Sequence, residues 1–468
     1  MNKKNILYRL YAAAFVGICL VPSVLMPFSK SDSSKEKRKL ASAPEITDKD
    51  GKLNFDFFKE FDKWFSDHMA FRQQLVNADA RLRSTLFKTS ANEDVIVGKD
   101  GWLYYSATAD DFLNINTLSQ RGINNICHNL ELVKRYCDEN GIKFVFTVAP
   151  NKNSIYPENM PFNYVESDNA GNYERLAESL AESGFFLDMK KALLETDSSI
   201  PLYHKTDTHW NNLGAYAGHV KLMEMLGRES CPAGDSWYTK DDRLGDLAAM
   251  LYPAEGAKDT QVYNDYGFTY KYRGRFGGLD DVTIKTVCGG REGSLLMYRD
   301  SFGEALLPYM AESYASAEFS RTVPYYIEGK DCDELIIEIV ERNLADLQKY
   351  APVMSAPEAD ISGLEPEEYS GQVSVRRERS GELVHIYGVL PDEFFSGAEA
   401  EIYLAVNGKA YEAFNCFECG LLGREDETSD NGFSLYIPAE AAEEGSSLSL
   451  IVSSGGKTLK TENIVTEG

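Results

Sequence analysis

The stretch Ser294-Leu-Leu-Met-Tyr-Arg-Asp-Ser-Phe-Gly303 joins an apolar run of strand length directly to a Ser and then to a helical pattern. Because residues 303–313 continue with helical spacing, Ser301 is predicted to lie on a tight turn between a strand and a helix. A second buried strand is predicted over 143–149, after a long amphipathic helix over 118–139. This alternation of strands and helices predicts an α/β fold with a mainly parallel sheet flanked by helices.

The amino terminus carries a candidate membrane segment. Lys3, Lys4 and Arg9 precede the apolar run Leu10–Phe28, and about 19 helical residues span a hydrocarbon core. No small-x-small cleavage site closes the run, which favours a retained signal anchor over a removed signal peptide. More basic residues follow the run than precede it, which opposes an external body by the positive-inside rule. We nevertheless expect a single-pass cell-membrane protein with an extracytoplasmic body, because the first helix and the chemistry described below favour it.

The rest of the chain can be divided into segments that differ in composition. After the anchor, 1–28, the polar and charged residues 29–52 are typical of a tether. The strand–helix alternation falls within a predicted main domain, 53–351, and a proline-rich acidic linker follows at 352–367. Short alternating runs separated by turn residues fill 368–468, which predicts a small β-sandwich domain.

The charge of the chain excludes one class of partner. With 48 basic and 73 acidic residues, the formal net charge is −25. A protein that binds nucleic acid gathers Lys and Arg against the phosphates, so no nucleic-acid partner is predicted. Acidity of this kind keeps a secreted or envelope protein soluble.

The eight cysteines are too few and too irregularly spaced for a disulfide framework in a chain of 468 residues. Cys416 and Cys419 form a single Cys-x-x-Cys pair with no second pair and no nearby His. A structural zinc site needs four ligands, so a local disulfide or two unpaired thiols is favoured there over a metal.

The second informative segment is Tyr203–Asn211, just ahead of a helical pattern. Asp207 stands two residues before His209, so its carboxylate can accept a hydrogen bond from one imidazole nitrogen and leave the other free as a base. A Ser hydroxyl needs such a base to become a nucleophile. Helix-start N–H groups, beginning with that of Ser301, can stabilise an oxyanion. Asp207, His209 and Ser301 are therefore predicted to form a catalytic triad.

Simpler interpretations exist for each part. Asp300-Ser301 by itself is typical of a helix cap, and an isolated Asp-x-His is typical of a surface turn. Four residues could instead bind a metal, but their spacing matches no usual zinc motif: His204, Asp207, His209 and His219. No metal and no other cofactor is predicted.

The same residues resemble a known family. Asp207-Thr208-His209-Trp210-Asn211, followed by Gly214-Ala215, and Arg299-Asp300-Ser301-Phe302 resemble the SGNH-hydrolase-like AlgJ/AlgX group of alginate O-acetylation proteins. They resemble still more closely the DHHW proteins of Gram-positive bacteria. The resemblance covers roughly residues 55–350 and includes Phe71-Arg72, Val97–Leu103, Ala149–Lys152, Tyr156-Pro157, Gly245–Leu247 and Ile339–Asn343.

The resemblance implies a role for each triad residue. Ser301 would accept the acyl group, His209 would act as general base and acid, and Asp207 would orient His209. The Asp–His block precedes the Ser block here, as in the AlgJ/AlgX group and in reverse of ordinary SGNH enzymes. Thr208 stands where the DHHW name has His, which is harmless if its side chain points away from the pair. Arg299 replaces the Gly of Gly-Asp-Ser, so another group has to complete the oxyanion hole.

Candidates for that support are Asn151, Lys152 and Asn153, in the loop after the predicted strand 143–149, together with Arg299. A plain turn is the alternative for the Asn-Lys-Asn sequence. Tyr203 and Trp210 flank the triad, and their aromatic faces suit sugar rings, so they are candidate substrate-binding residues; core packing is the alternative.

These observations predict O-acetyl transfer to or from an extracytoplasmic polysaccharide through an acyl-Ser301 intermediate. Acetyl-CoA is absent outside the cytoplasm, so the resemblance implies a membrane-bound O-acyltransferase partner as the acetyl donor. One alternative is a carbohydrate acetylesterase with the same triad. Another is a catalytically silent polysaccharide-binding or assembly protein whose carboxyl-terminal domain does the binding.

Overall fold

The computed structural model describes residues 3–28, 40–47, 51–234, 236–254, 258–415, 429–443 and 445–467. The Cys416-x-x-Cys419 pair and part of the predicted tether lie outside the described residues. Eleven α-helices occur in the described chain: α1 Lys3–Leu25, α2 Phe57–His68, α3 Arg72–Leu82, α4 Ala109–Phe112, α5 Gln120–Glu139, α6 Lys152–Ile155, α7 Asn172–Leu180, α8 Met189–Leu194, α9 Asn212–Leu226, α10 Asp246–Leu251 and α11 Gly303–Ser313.

The described residues also form twenty-one strands. Those of the amino-terminal and central part are β1 Val95–Val97, β2 Leu103–Tyr105, β3 Lys143–Ala149, β4 Phe186–Leu187, β5 Trp237–Leu244, β6 Lys258–Asn264, β7 Lys271–Tyr272, β8 Thr283–Val287, β9 Ser294–Tyr298, β10 Ser316–Ser320 and β11 Glu334–Val340. Those of the carboxyl-terminal part are β12 Glu358–Ala359, β13 Glu367–Glu368, β14 Val373–Ser380, β15 Leu383–Val389, β16 Ala400–Val406, β17 Lys409–Ala413, β18 Gly432–Pro438, β19 Leu448–Ser454, β20 Lys457–Thr461 and β21 Ile464–Glu467.

Helix α1 is apolar after its basic first turns. Within the segment Asn5–Phe28, an 18-residue window has a mean hydropathy of 2.0, and only 6% of that window is buried by the rest of the protein. By length and composition it is a candidate membrane span, and a signal sequence would meet the same criteria.

The central sheet has seven strands in the order β4-β3-β11-β9-β10-β8-β7. The first five are mutually parallel, whereas β8 pairs antiparallel with β10 on one side and with the edge strand β7 on the other. The sheet is therefore mixed. Because parallel strands share one carboxyl-terminal edge, the residues that follow β3, β9 and β11 all leave the sheet on the same side.

Alternating side chains of the central strands bury opposite faces of the sheet. On β9, Leu295 and Met297 belong to the core that includes α9 and α11, whereas Leu296 and Tyr298 belong to the core that includes α5 and α7. Strands buried on both faces are continuous hydrophobic runs rather than alternating ones, which is the pattern that the sequence shows.

The carboxyl-terminal strands form two further sheets. Their orders are β12-β17-β16-β19-β20-β13 and β18-β15-β14-β21. Ile386 of the second sheet shares one apolar core with Leu404 and Val452 of the first. The two sheets therefore enclose a common core.

Helix α5 connects the central sheet to these carboxyl-terminal sheets. Its apolar side chains share a core with Phe414 and Tyr436. Its polar face holds Glu412 of β17, which is 5% exposed and pairs with Arg135 and His128. Burial raises the pKa of Glu412, but hydrogen bonds and charge from His128 and Arg135 outweigh burial and lower it below its usual range.

This buried pairing generates a stability prediction. Replacing Arg135 by Met (Arg135→Met) leaves the Glu412 carboxylate without its guanidinium, and we expect the free energy of unfolding to fall by about 1–3 kcal/mol. The matched control is Lys134→Met on the same helix, whose partner Asp138 is exposed, and it should cost less than about 1 kcal/mol. Urea denaturation of both variants measures the difference. Equal losses would show that the α5 contact contributes no more than a surface ion pair.

Candidate active site

The loop ahead of α9 holds a short Asp–His contact. Asp207 Oδ1 accepts hydrogen bonds from His209 Nδ1 at 2.7 Å and from the His209 backbone N–H at 3.1 Å. A carboxylate only accepts hydrogen bonds, so Nδ1 carries the proton and Nε2 is left to act as an acceptor. Asn211 ends the loop as the cap of α9, where its side chain accepts from the N–H groups of Leu213 and Gly214.

Ser301 occupies the predicted turn between β9 and α11. Asp300 holds this turn, since its two carboxylate oxygens accept from the backbone N–H of Phe302 at 2.8 Å and of Val340, in β11, at 2.7 Å. Gly303 follows, and a Cβ at that position would lie 2.6 Å from the Cβ of Arg299, so the turn has no room for a side chain there. Asp300 and Gly303 thus fix the position of Ser301 from both sides.

The two loops meet. His209 Nε2 lies 2.8 Å from Ser301 Oγ, although 92 residues separate them in the chain. Asp207, His209 and Ser301 therefore form one continuous hydrogen-bonded line, the arrangement in which an imidazole can take the proton of a Ser hydroxyl. The Ser301 backbone N–H donates to no acceptor in the part of the chain that the structure describes.

The second oxygen of Asp207 binds a cation. Arg243 of β5 donates from Nε to Asp207 Oδ2 at 3.0 Å, its Nη2 forms an ion pair with the same oxygen at 2.9 Å, and the Asp246 N–H approaches at 3.4 Å. Asp207 is fully buried, and burial alone would raise its pKa. The hydrogen bond from His209 and the charges of His209, Arg243 and His204 outweigh burial, so the pKa of Asp207 lies well below its usual range.

Arg243 was not identified from the sequence. No pattern distinguishes it from other surface Arg residues, because it reaches Asp207 only through the pairing of β5 with β6 and the return of the chain at Gly245. Gly245 packs against Thr206: a Cβ there would lie 2.3 Å from the Thr206 carbonyl oxygen. The sequence feature nearest to Arg243 that indicated function was Gly245–Leu247, which is part of the family resemblance described above.

Thr208 does not point away from the Asp207–His209 pair. Its Oγ1 lies 2.9 Å from His209 Nδ1 and donates to Asp246 Oδ2 at 2.7 Å. The Thr208 hydroxyl therefore links His209 to a second carboxylate, and Asp246 Oδ2 itself lies 3.9 Å from His209 Nδ1.

Lys152 lies beneath the Asp–His loop, buried to 4% exposure. Its Nζ donates to three backbone carbonyls of that loop, those of His204, Lys205 and Asp207, at 3.1, 3.0 and 2.7 Å. These three acceptors match the three N–H groups of an ammonium. Burial lowers the pKa of Lys152 to about 7, against the opposing effect of Asp207, Asp246 and Asp259. Lys152 supports the loop rather than an oxyanion.

The other support candidates also bind within the protein. Asn151 Nδ2 donates to Asp111 at 2.8 Å, and Asn153 Nδ2 donates to the Thr108 carbonyl at 2.9 Å. Buried Arg299 donates to the carbonyls of Asp300, at 3.0 Å, and of Leu279. These contacts brace the site, and the structure shows none of the three side chains donating toward Ser301.

Tyr203 and Trp210 are each only 1% exposed, so the expectation that they bind substrate is wrong. The Tyr203 hydroxyl donates to the Pro150 carbonyl at 2.6 Å, and Trp210 Nε1 donates to the Phe302 carbonyl at 3.0 Å. Both rings also contact Phe302, the residue after Ser301. They pack the Asp–His loop against the Ser turn and offer no ring face to a sugar.

The His residues considered as metal ligands have other contacts. His219 is fully buried and accepts from the Cys231 N–H, while His204 Nδ1 lies 2.9 Å from the Thr260 carbonyl. Three possible ligand atoms lie within 4.8 Å of one another, one each from Asp207, His209 and Asp246. The Arg243 guanidinium already occupies Asp207 Oδ2, which argues against a cation in that position.

A family model described as SGNH hydrolase-like domain, acetyltransferase AlgX, matches residues 95–274. The range contains Asp207 and His209 but not Ser301. The chain is also 28% identical over 232 residues to the probable alginate O-acetylase AlgJ of Pseudomonas syringae pv. tomato, a match that covers 48% of this chain and 54% of that protein. The chain thus spans about half the length of this curated relative.

Two solved structures are similar at low sequence identity. PatB1 of Bacillus cereus matches with a TM-score of 0.42 and 15% identity, over 53% of this chain and 96% of its own. A DHHW family protein from Eubacterium siraeum matches with a TM-score of 0.40 and 17% identity, over 54% of this chain and 91% of its own. Such values carry no argument about activity. The family model and the curated relative agree with the resemblance that the sequence motifs indicated: residues 95–274, which include Asp207 and His209, match an SGNH hydrolase-like AlgX domain.

Proposed function

We propose that this chain is an extracytoplasmic O-acetyltransferase that modifies a polysaccharide through an acetyl-Ser301 intermediate. The observation that carries the proposal is the hydrogen-bonded line from Asp207 Oδ1 through His209 to Ser301 Oγ, with distances of 2.7 and 2.8 Å. The relative named as a probable alginate O-acetylase supports a polysaccharide as the acetyl acceptor.

In the first half-reaction, Ser301 Oγ attacks the carbonyl carbon of the acetyl donor and its proton passes to His209 Nε2. Asp207 stabilises the imidazolium that results. When the tetrahedral intermediate collapses, the leaving group of the donor takes the proton from Nε2, and the acetyl group stays on Ser301. The free backbone N–H of Ser301 is the proposed first donor to the oxyanion; the Phe302 N–H is already bound to Asp300.

In the second half-reaction, a sugar hydroxyl gives its proton to His209 Nε2 and attacks the acetyl-Ser301 carbonyl. Collapse breaks the bond to Ser301 Oγ, which recovers the proton from Nε2, and the acetylated sugar leaves. Water in place of the sugar hydroxyl would make the same residues an acetylesterase, which is the alternative function. The acceptor that reaches the acyl-enzyme distinguishes the two.

The donor has to be supplied across a membrane. We propose that α1 anchors the chain with residues 53–351 as the catalytic domain outside the cytoplasm, and that 352–367 link it to the carboxyl-terminal domain 368–468. A membrane-bound O-acyltransferase is the proposed partner that exports acetyl groups. A catalytically silent polysaccharide-binding protein would not need the Asp207–His209–Ser301 line, so catalysis is favoured.

The first prediction tests the nucleophile. Ser301→Ala removes the only atom proposed to carry the acetyl group, and we expect turnover of a chromogenic acetyl ester to fall by at least about 1,000-fold. The full-length chain in neutral detergent is the enzyme, and Ser374→Ala, on an exposed position of β14, is the control. If the Ser301→Ala variant turned over the ester at the wild-type rate, the acyl-serine mechanism would be excluded. Mass spectrometry of an added oligosaccharide then separates transferase from esterase, since only a transferase acetylates it.

A second prediction concerns the cation on Asp207. Arg243→Met removes a hydrogen bond and the paired positive charge from a buried carboxylate, so the Asp207 pKa rises and His209 is held less firmly. We expect kcat/KM for the acetyl ester to fall by about 10- to 100-fold. Lys240→Met is the control on the same strand, because among the described residues Lys240 Nζ contacts the rings of Tyr238 and Tyr263 and no carboxylate. If the two variants lose the same activity, Arg243 has no specific role at Asp207.

A third prediction concerns pH and Lys152. Its pKa is about 7 in the folded chain and about 10.4 in an unfolded one, so between these values the unfolded chain binds the extra proton. The free energy of unfolding of the wild type relative to Lys152→Met should therefore rise with pH above 7, by at most about 1.4 kcal/mol per pH unit. This gain is lost as the pH falls back toward 7. Urea denaturation of both proteins between about pH 7 and pH 9 measures it. A difference that stays constant would show that burial does not lower the pKa of Lys152 into or below this pH range.

A further inference from the structure

The buried Trp210 and Tyr203 leave open which surface receives a sugar chain. A different segment combines exposed rings with exposed cations: Phe268-Thr-Tyr-Lys-Tyr-Arg-Gly-Arg-Phe276, here termed the basic–aromatic strip. Phe268, Tyr272 and Phe276 are 37%, 37% and 38% exposed. The rings of Tyr272 and Phe276 are stacked, with centroids 3.7 Å apart and an angle of 7° between their planes.

The cations of the strip form no ion pair with any carboxylate of the described residues. Lys271, Arg273 and Arg275 are exposed, and their side chains make no hydrogen bond, ion pair or ring contact with any residue that the structure describes. Lys285, on the neighbouring strand β8, is instead paired with Glu318 at 2.9 Å. In a chain with a net charge of −25, three unpaired cations within five residues form a local positive surface.

Both ends of the strip are attached to the unit that carries Ser301. At its start, the N–H and Oγ1 of Thr269 each donate at 2.7 Å to Glu312, a buried residue of α11. Beyond its end, Arg299 donates to the Leu279 carbonyl. Between these points, Lys271 and Tyr272 pair with β8 at the edge of the central sheet. The strip therefore has a fixed position relative to the strand and helix that flank Ser301.

We propose that the basic–aromatic strip binds the acidic polysaccharide that is acetylated at Ser301, an inference that rests on the proposed function. Lys271, Arg273 and Arg275 bind the anionic groups of the sugars, and the rings of Tyr272 and Phe276 contact their apolar faces. An anionic membrane surface would also attract cations and rings. The glycan is favoured because the rings stack on one another instead of projecting, and because the contacts of Thr269 with Glu312 and of Leu279 with Arg299 hold the segment against the helix and strand on either side of Ser301.

The test measures binding without turnover. Full-length Ser301→Ala chain in neutral detergent is titrated with a polyuronate and, separately, with neutral dextran. A triple variant with Lys271→Gln, Arg273→Gln and Arg275→Gln is compared with a control that removes three exposed Lys residues on other elements: Lys59→Gln, Lys191→Gln and Lys457→Gln. Both triple variants carry a formal net charge of −28, because each loses three positive charges from −25.

We expect the strip triple variant to bind the polyuronate about tenfold more weakly than the control triple variant, and the difference to shrink at high salt. Phe276→Leu should also weaken binding, because it keeps an apolar side chain and removes the ring. Hydrogen exchange of residues 268–282 should slow when the polyuronate is added. Since the side chains of Lys271, Arg273 and Arg275 make few contacts, the unfolding temperature of the strip triple variant should match that of the control triple variant.

Three results would overturn the inference: equal weakening in both triple variants, dextran bound as tightly as the polyuronate, or slowed exchange of the strip with phosphatidylglycerol micelles but not with the polyuronate. The last would identify a membrane-contacting surface. Failure of the proposed function is seen separately, as a wild-type chain that turns over no acetyl ester, because the binding measurements all use Ser301→Ala.

Discussion

A fully buried carboxylate is the constraint on which the candidate site depends. Asp207 has no contact with solvent, and an isolated charge in that position would be costly. The protein offsets this cost with His209 on one oxygen and Arg243 on the other. Both partners have to be brought to Asp207 with correct geometry, so the Asp–His loop, strand β5 and the Gly245 turn are positioned together.

The Asp–His loop is irregular backbone inside the protein, and its carbonyl groups need donors. Lys152 supplies three of them from below, and Tyr203 and Trp210 close the space between this loop and the Ser301 turn. The residues that looked like substrate contacts in the sequence are therefore the ones that hold two loops at hydrogen-bonding distance. We propose that substrate recognition lies instead on exposed side chains that have no ion-pair partner among the described residues.

Several features could be predicted because they depend on local pattern. The apolar runs of β3 and β9 and the helical spacing of 303–313 each bury a continuous surface, and such patterns specify the element without knowledge of its neighbours. The turn at Ser301 followed from a strand that meets a helix without a linker. The motifs around Asp207 and Ser301 were sufficient to indicate the family, since they combine residue type with local geometry.

Other features depend on contacts between distant parts of the chain. Arg243 could not be identified, because its role exists only where β5 returns past Asp207. Thr208 could not be oriented, because Asp246, 38 residues later, draws its hydroxyl toward His209. The exposure of Trp210 was decided by Phe302, 92 residues away.

The amino-acid sequence by itself determined several of the strands and helices, which residue types could carry acyl transfer, and a net charge that argues against a nucleic-acid partner. Only the tertiary structure decided which of those residues meet, which cations stay unpaired, and which aromatic rings are buried. The physical reason is range: periodicity and turn preference act over a few residues, whereas burial, ion pairing and exposure depend on what the folded chain brings alongside.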